Sequence, residues 1–246
     1  MGKNVAGTEK FKNGIQYYER GLITVKENEY ERLAIHTHFV QRGESYIENI
    51  EKYVLPLFVD GDILSLSEKV ISMCQDNCVE KKDVKLGFWA KFLSRFAYRT
   101  SAGIGMDEPY KLQLTIDLVG LPKVLFASFC SAVGKLFGKR GIFYKIVGHG
   151  VAGIDGFYPN SSFDIYKDMA VLNPKNADAV CDEIYEKLGI ISVIVDANDI
   201  AQEILGKPKN LPIEESVFLE MIKDNPAGQG AELTPFILIR EGGKNE

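Results

Sequence analysis

The sequence predicts a mixed α/β fold, on three observations. ERLAIHTHFV, residues 31–40, alternates Leu33, Ile35, Thr37 and Phe39 against Ala34, His36 and His38, the period of a half-buried strand. ISVIVD, ending at Asp196, is a continuous β-branched run, as in a strand buried on both faces. Between such runs lie capped segments of helical period, in an order without the regular alternation that a Rossmann sheet or a barrel requires.

Taken in order, residues 1–18 mix Gly, Lys and Asn without periodicity and read as an N-terminal extension, with a single domain over 19–246. After the first strand, Ser45 is the predicted N-cap of a helix carrying Ile47, Ile50, Val54 and Leu55, and Pro56 marks its end. Asp60-Gly61-Asp62 is a turn, and ILSLSEKVISM fits a strand running into a short helix or second strand. Residues 91–98 and 108–119 read as helices, separated by TSAGIGMDEP, where Gly103 and Gly105 allow a close backbone approach. The most apolar stretch, Val124 to Phe137, is too short for the roughly 20 residues a bilayer span needs, and suits a buried helix. GIFYKIVGHG reads as a strand. A helix is predicted from Asn173, as cap, to Leu188, then further helices near 199–205 and 214–223, and a final strand LTPFILIR.

Composition narrows the function. Hydrophobic residues make up 46% and charged residues 26% of 246, an ordinary globular balance that excludes disorder, collagen and coiled coil for the bulk. The formal net charge of −5 offers no general attraction for nucleic acid or an anionic membrane, so neither is an expected partner and any phosphate site must be local. Four scattered cysteines, Cys74, Cys78, Cys130 and Cys181, do not make a disulfide scaffold, and a reducing cytoplasm is the expected compartment. The three-residue gap between Cys74 and Cys78 differs from zinc and redox spacings. No serine elbow, HExxH or GxxxxGK[ST] occurs.

Four places hold residues suited to chemistry. GHGVAGIDGF, residues 148–157, brackets His149 and Asp155 with Gly148, Gly150, Gly153 and Gly156. Such a segment can converge backbone N–H groups on an anion while the aspartate holds a divalent cation, or it can be a tight hairpin with Asp155 as a turn residue. In VIVDANDI, Asp196 sits at a strand's C-terminal end, where open α/β sheets bind ligands, followed by Asn198 and Asp199. Asp196 and Asp199 could share Mg²⁺ or Mn²⁺, or Asp199 could cap a following helix. Glu68 and Lys69 follow the strand ILSLS, where a lysine can meet a phosphate and a glutamate can orient it or bind metal; the alternative is a solvated ion pair. His36 and His38 share a strand face, as a zinc pair would, but the chain has only one other histidine.

DGDILSLSEKVISMCQ, AGIGM, GKRGIFYKIVGHGVAGIDG and VIVDAND follow one another in that order. The combination resembles the coenzyme F-420 gamma-glutamyl ligase family, in its bacterial ligase-like branch, from about Leu33 to the C-terminus. The resemblance implies a mixed-sheet ligase fold in an intertwined homodimer, using GTP or ATP and Mg²⁺ or Mn²⁺ to join L-glutamate to a small carboxylate, a phospholactyl-deazaflavin in the family, through an acyl phosphate. It implies metal ligation by Asp155 and Asp196 and a nucleotide contact by Lys69. Near the C-terminus, KDNPAGQGAELTPFILIR places Asp224, Gly228, Gln229 and Glu232 where the family has nucleotide and metal contacts, although Asp224-Asn225-Pro226 and Gly228 also make an ordinary turn.

The chain departs from the family's pattern at four places. Met73 stands where ligases usually carry a second lysine, Phe157 and Tyr158 replace a Ser-Asn pair for which Asn160 substitutes in part, and Ala197 replaces a threonine. Two further readings follow: a nucleotide- and metal-binding regulatory module on the same fold without turnover, and a ligase for an acid other than the deazaflavin.

Overall fold

A computed structural model describes residues 7–97, 105–139, 141–157, 163–197, 202–228 and 232–242. In chain order its elements are β1 (Thr8–Lys12), β2 (Ile15–Val25), β3 (Asn28–Ile35), α1 (Tyr46–Tyr53), β4 (Ile63–Ser67), α2 (Glu68–Cys74), β5 (Cys78–Glu80), α3 (Phe88–Ser94), α4 (Pro109–Val119) and α5 (Leu121–Leu136). There follow α6 (Ile142–Val147), α7 (His149–Ala152), β6 (Asp155–Gly156), α8 (Ile165–Asp168), β7 (Met169–Val171), α9 (Ala177–Leu188), β8 (Ile191–Ala197), β9 (Gln202–Gly206), α10 (Glu215–Met221) and β10 (Phe236–Glu241). The fold is mixed α/β, as the sequence predicts. It divides into two compact units, Met1–Asp76 with Pro174–Glu246, and Asn77–Asn173.

The first unit is built on a mixed sheet whose described strands run in the order β1-β2-β3-β10-β4-β8-β9. β4 and β8 pair in parallel, and the other described neighbours are antiparallel. Strand alternation sends Leu33, Ile35, Leu64, Leu66, Ile194, Phe236 and Leu238 to one face, where they meet Ile50 and Val54 of α1, Ile71 of α2 and Val180 and Ile184 of α9. Ala34, Ile63, Val193, Val195, Ile237 and Ile239 go to the other, against Phe218 and Met221 of α10. With both faces covered, β4 and β8 are mainly apolar, with the buried Ser65 and Ser192 as small exceptions, which is why they read as nearly continuous apolar runs. Each fully buried Ile or Leu contributes about 1.5–3 kcal/mol.

Capping and polar ties fix the ends of these elements. Ser45 Oγ accepts the Glu48 N–H at 3.2 Å, the predicted cap of α1. Gly61, at φ 90°, turns the chain into β4. There the buried Asp62 accepts the Val59 N–H at 2.9 Å and both Nε and Nη2 of Arg240, at 2.9 and 2.8 Å, which ties the far end of β10 to the turn.

The second unit carries a three-stranded antiparallel sheet, β5-β7-β6, and helices α3 to α8. Its core joins Leu112 and Leu114 of α4, Val124 and Ala127 of α5, Val147, Val151, Ile154 and Phe157. Among the described residues no helix is long and apolar enough to cross a membrane, and α4 and α5 meet at Gly120 with a bend of 119°.

Several expectations change. Within the stretch read as an extension, Thr8–Lys12 form β1 and Ile15 begins β2, a hairpin in the sheet with Tyr17 buried, while residues 1–6 lie outside the described residues. The strand expected in GIFYKIVGHG is helical, as α6 and α7, because Phe143, Tyr144, Ile146 and Val147 pack on the second unit's core from one short helix. The helix expected near 199–205 is, from Gln202, strand β9, whose pairing with β8 outweighs the helical preference of Gln-Glu-Ile-Leu. The next helix starts at Ala177 with Asn176, not Asn173, as cap residue. α5 buries Val124, Ala127 and Gly134 but leaves its opposite side exposed, so it is not the buried helix expected.

Candidate functional site

In the first unit β4 and β8 run parallel and in register, Ser67 beside Val195. Parallel neighbours lie about 4.8 Å apart, so the residues that follow leave the same C-terminal edge together. On β4 these are Glu68 and Lys69, at the start of α2, and on β8 it is Asp196. All three are half-buried, and Glu68 turns its Oε2 inward, out of solvent. The β8–β9 ladder shifts register between Ile194 and Val195, an irregularity immediately before Asp196, of the kind that re-aims side chains beside sites.

The loop after α10 forms the wall of this edge. Ser65, Ser67, Val195, Asn225, Pro226 and Ala227 are among the residues around a recess of about 50 Å³. That is room for one or two waters, well short of the roughly 300 Å³ at which small-molecule pockets begin. Two buried arginines hold the loop. Arg32 ion-pairs with Asp224 and donates to the Met221 carbonyl at 3.3 Å, while Arg20 ion-pairs with Glu232 and donates from Nε to the Pro226 carbonyl at 3.0 Å. Asn225 and Gly228, at φ 52° and 74°, make the turn, and the Gly228 N–H donates to the Asn225 carbonyl at 3.0 Å. Of the C-terminal candidates, Asp224 and Glu232 are ion-paired to these two arginines and Gly228 lies in the turn. Gln229 lies outside the described residues.

Asp155 belongs to the second unit, on β6 beside Val171 of β7. The glycines around it have packing reasons. A Cβ on Gly153 would overlap the Asn173 side chain, and one on Gly156, at φ 148°, would overlap the Met169 carbonyl and Ala170; open space surrounds Gly150. The segment is a helical turn entering a strand, not the exit of one. Lys111 of α4, which sequence reasoning did not single out, is 6% exposed, and burial lowers its pKa while the charges of Asp155 and Asp107 oppose that shift. Asp107 also adds to the upward shift that burial gives the Tyr144 phenol. A buried lysine facing two acids is a candidate group for an anionic ligand. No sequence signal marks it: the stretch KLQLT around it reads as an ordinary helix segment, and only the structure shows that all five of its residues are buried.

The remaining candidates lie elsewhere in the described residues or outside them. His36 and His38 follow β3 rather than sharing its face. The ring of His38 is engaged by Tyr53 Oη and Glu44, each at 2.8 Å, which fits a structural role. Burial pushes the thiols of Cys74 and Cys181 up to about 12 and about 11, so both are weaker nucleophiles at neutral pH than an ordinary cysteine. Asn160 and Asp199 lie outside the described residues, as does Tyr158. Among the described residues no three His, Cys, Asp or Glu side chains converge as a ligand set. Glu68 and Asp196 still fit Mg²⁺ or Mn²⁺, since Mg²⁺ commonly takes one or two carboxylates and completes its shell with water and phosphate oxygens. Comparison with protein-family models finds no match, and comparison with curated proteins finds none either.

Proposed function

We propose that the protein is a metal- and nucleotide-dependent ligase that joins an amino acid, glutamate by its resemblance, to a small carboxylate through an acyl phosphate. One observation supports this reading above the others: the parallel pair β4–β8 delivers Glu68, Lys69 and Asp196 to one edge of the sheet. In the proposed reaction the acceptor carboxylate attacks the γ-phosphorus of GTP or ATP and the nucleoside diphosphate leaves. The glutamate amine then attacks the acyl carbon, phosphate leaves, and the ammonium proton passes to solvent. Lys69 supplies a cation for the phosphates, and Glu68 and Asp196 hold Mg²⁺ or Mn²⁺, which would spread the charge of the transferring phosphoryl group. Asp155, near the buried Lys111 of the second unit, is a second acidic position that the resemblance assigns to metal. The working form in this proposal is a homodimer.

A specific observation favours a second reading, a nucleotide- and metal-binding module without turnover. Met73, where the family usually has a second lysine, is 1% exposed and packs inside α2, so no side chain there reaches a phosphate. The acceptor is a separate question, since an acid other than the deazaflavin fits the same edge chemistry. The test is incubation with GTP or ATP, Mg²⁺ or Mn²⁺, glutamate and a pool of carboxylates, reading nucleoside diphosphate and amide. Release of both, lost at least 100-fold in Asp196→Asn, supports the ligase; binding without either product supports the module.

A further inference from the structure

We infer that α3 and α5 of the second unit form a docking surface for an anionic lipid bilayer. α5 carries two apolar faces. Val124, Ala127 and Gly134 are buried, while Phe126, Phe129, Val133 and Leu136, at alternating spacings of three and four, point to solvent, Phe129 at 68% and Leu136 at 83% exposure. α3 repeats the arrangement: Ala90 and Ser94 are buried, and Phe88, Trp89, Phe92 and, just beyond the helix, Phe96 are exposed. The Phe88 and Phe92 rings stack on each other at 5.8 Å, and Phe92 meets Phe96 edge-on at 5.2 Å. Single exposed apolar residues are ordinary on a protein surface, but two aromatic stripes in one unit mark a binding face.

Charge selects the occupant. Between residues 85 and 147 fall ten of the chain's 29 Lys and Arg but only three of its 34 Asp and Glu, which leaves 19 basic against 31 acidic residues elsewhere. The net charge of −5, which speaks against membranes for the chain as a whole, conceals this separation. Exposed Lys91, Arg95, Lys123, Lys135 and Lys139 lie on or beside the two helices. Aromatic rings at the headgroup level with lysines and arginines around them are the recognition chemistry of an anionic bilayer surface. A second copy docking through the same face would bring two basic segments together.

The test is co-sedimentation of the full chain with vesicles of phosphatidylcholine alone, or with about a third phosphatidylglycerol, at low and high salt. Trp89 is the only tryptophan and reports from the surface itself. Binding to the anionic vesicles alone, a blue shift of Trp89 emission, and at least tenfold weaker binding at high salt and in Phe126→Ser/Phe129→Ser or Phe88→Ser/Phe92→Ser are expected. These positions are exposed, so an unchanged melting temperature will confirm that the variants fold. No sedimentation with the anionic vesicles overturns the inference. So does a salt-insensitive dimer in light scattering that the same variants dissociate, since the occupant is then a second copy.

Discussion

At the scale of single residues, burial decides what a charged group does. Asp62 is buried and answers two nitrogens of Arg240 and the Val59 N–H, so removing it strands a guanidinium that is itself largely buried. Asp62→Ala is expected to cost about 3–5 kcal/mol in a urea titration. A cost below about 1 kcal/mol would mean that the ion pair does not fix β10. Lys111 carries the opposite burden. The unfolded chain titrates this lysine near 10.5 and the folded protein lower, because burial outweighs Asp155 and Asp107. Between those two values the unfolded state holds more protons, so this lysine makes stability rise with pH up to about 10.5. Urea midpoints across that window should show the rise in the wild type and a flatter course in Lys111→Met. Equal slopes would remove the lysine from the buried cluster.

Elements form where local chemistry and tertiary packing agree. Ser45 announces α1 in the sequence, and its hydroxyl accepts the Glu48 N–H in the structure; Ser45→Ala should cost about 1 kcal/mol, read as a shift in the thermal midpoint. β4, β8 and β10 were legible because strands covered on both faces are largely apolar, and Glu68, Lys69 and Asp196 were legible because they stand at the C-terminal ends of such strands. Two segments misled for one shared reason: context outweighed propensity. Ile142–Val147 is rich in β-branched and aromatic residues yet packs as a helix, and Gln202–Gly206 favours a helix yet pairs with β8. Lys111 was hidden because a lysine in a helix ordinarily faces water, and no local pattern says that α4 is covered around it. The glycines around Asp155 suggested a phosphate cradle, and in the structure Gly153 and Gly156 also have a packing reason to be small, because Asn173 and β7 press against them. Gly156→Ala should therefore disrupt the β6–β7 pairing and lower stability by more than the about 1 kcal/mol that a glycine replacement costs in free space.

On the scale of the whole molecule, the chain distributes its chemistry over two compact units, the second of which contains the basic stretch 85–147. The first gathers two carboxylates and a lysine at the exits of parallel strands, with a loop braced by Arg20 and Arg32 as its wall. The second carries Asp155, the buried Lys111 and the aromatic helices. The proposed binding of a nucleotide through a divalent cation at the strand-exit edge can be tested without knowing the acceptor acid. The measurement is thermal melting with EDTA, Mg²⁺ or Mn²⁺, each with and without GTP or ATP, for the wild type, Asp196→Asn and Lys69→Met. A nucleotide at 100 times its dissociation constant should stabilise the native state by about 2.7 kcal/mol. The account predicts that one nucleotide raises the melting temperature only when metal is present and that both variants lose the shift. A melting temperature indifferent to every combination, or a shift that persists in Asp196→Asn, would contradict it.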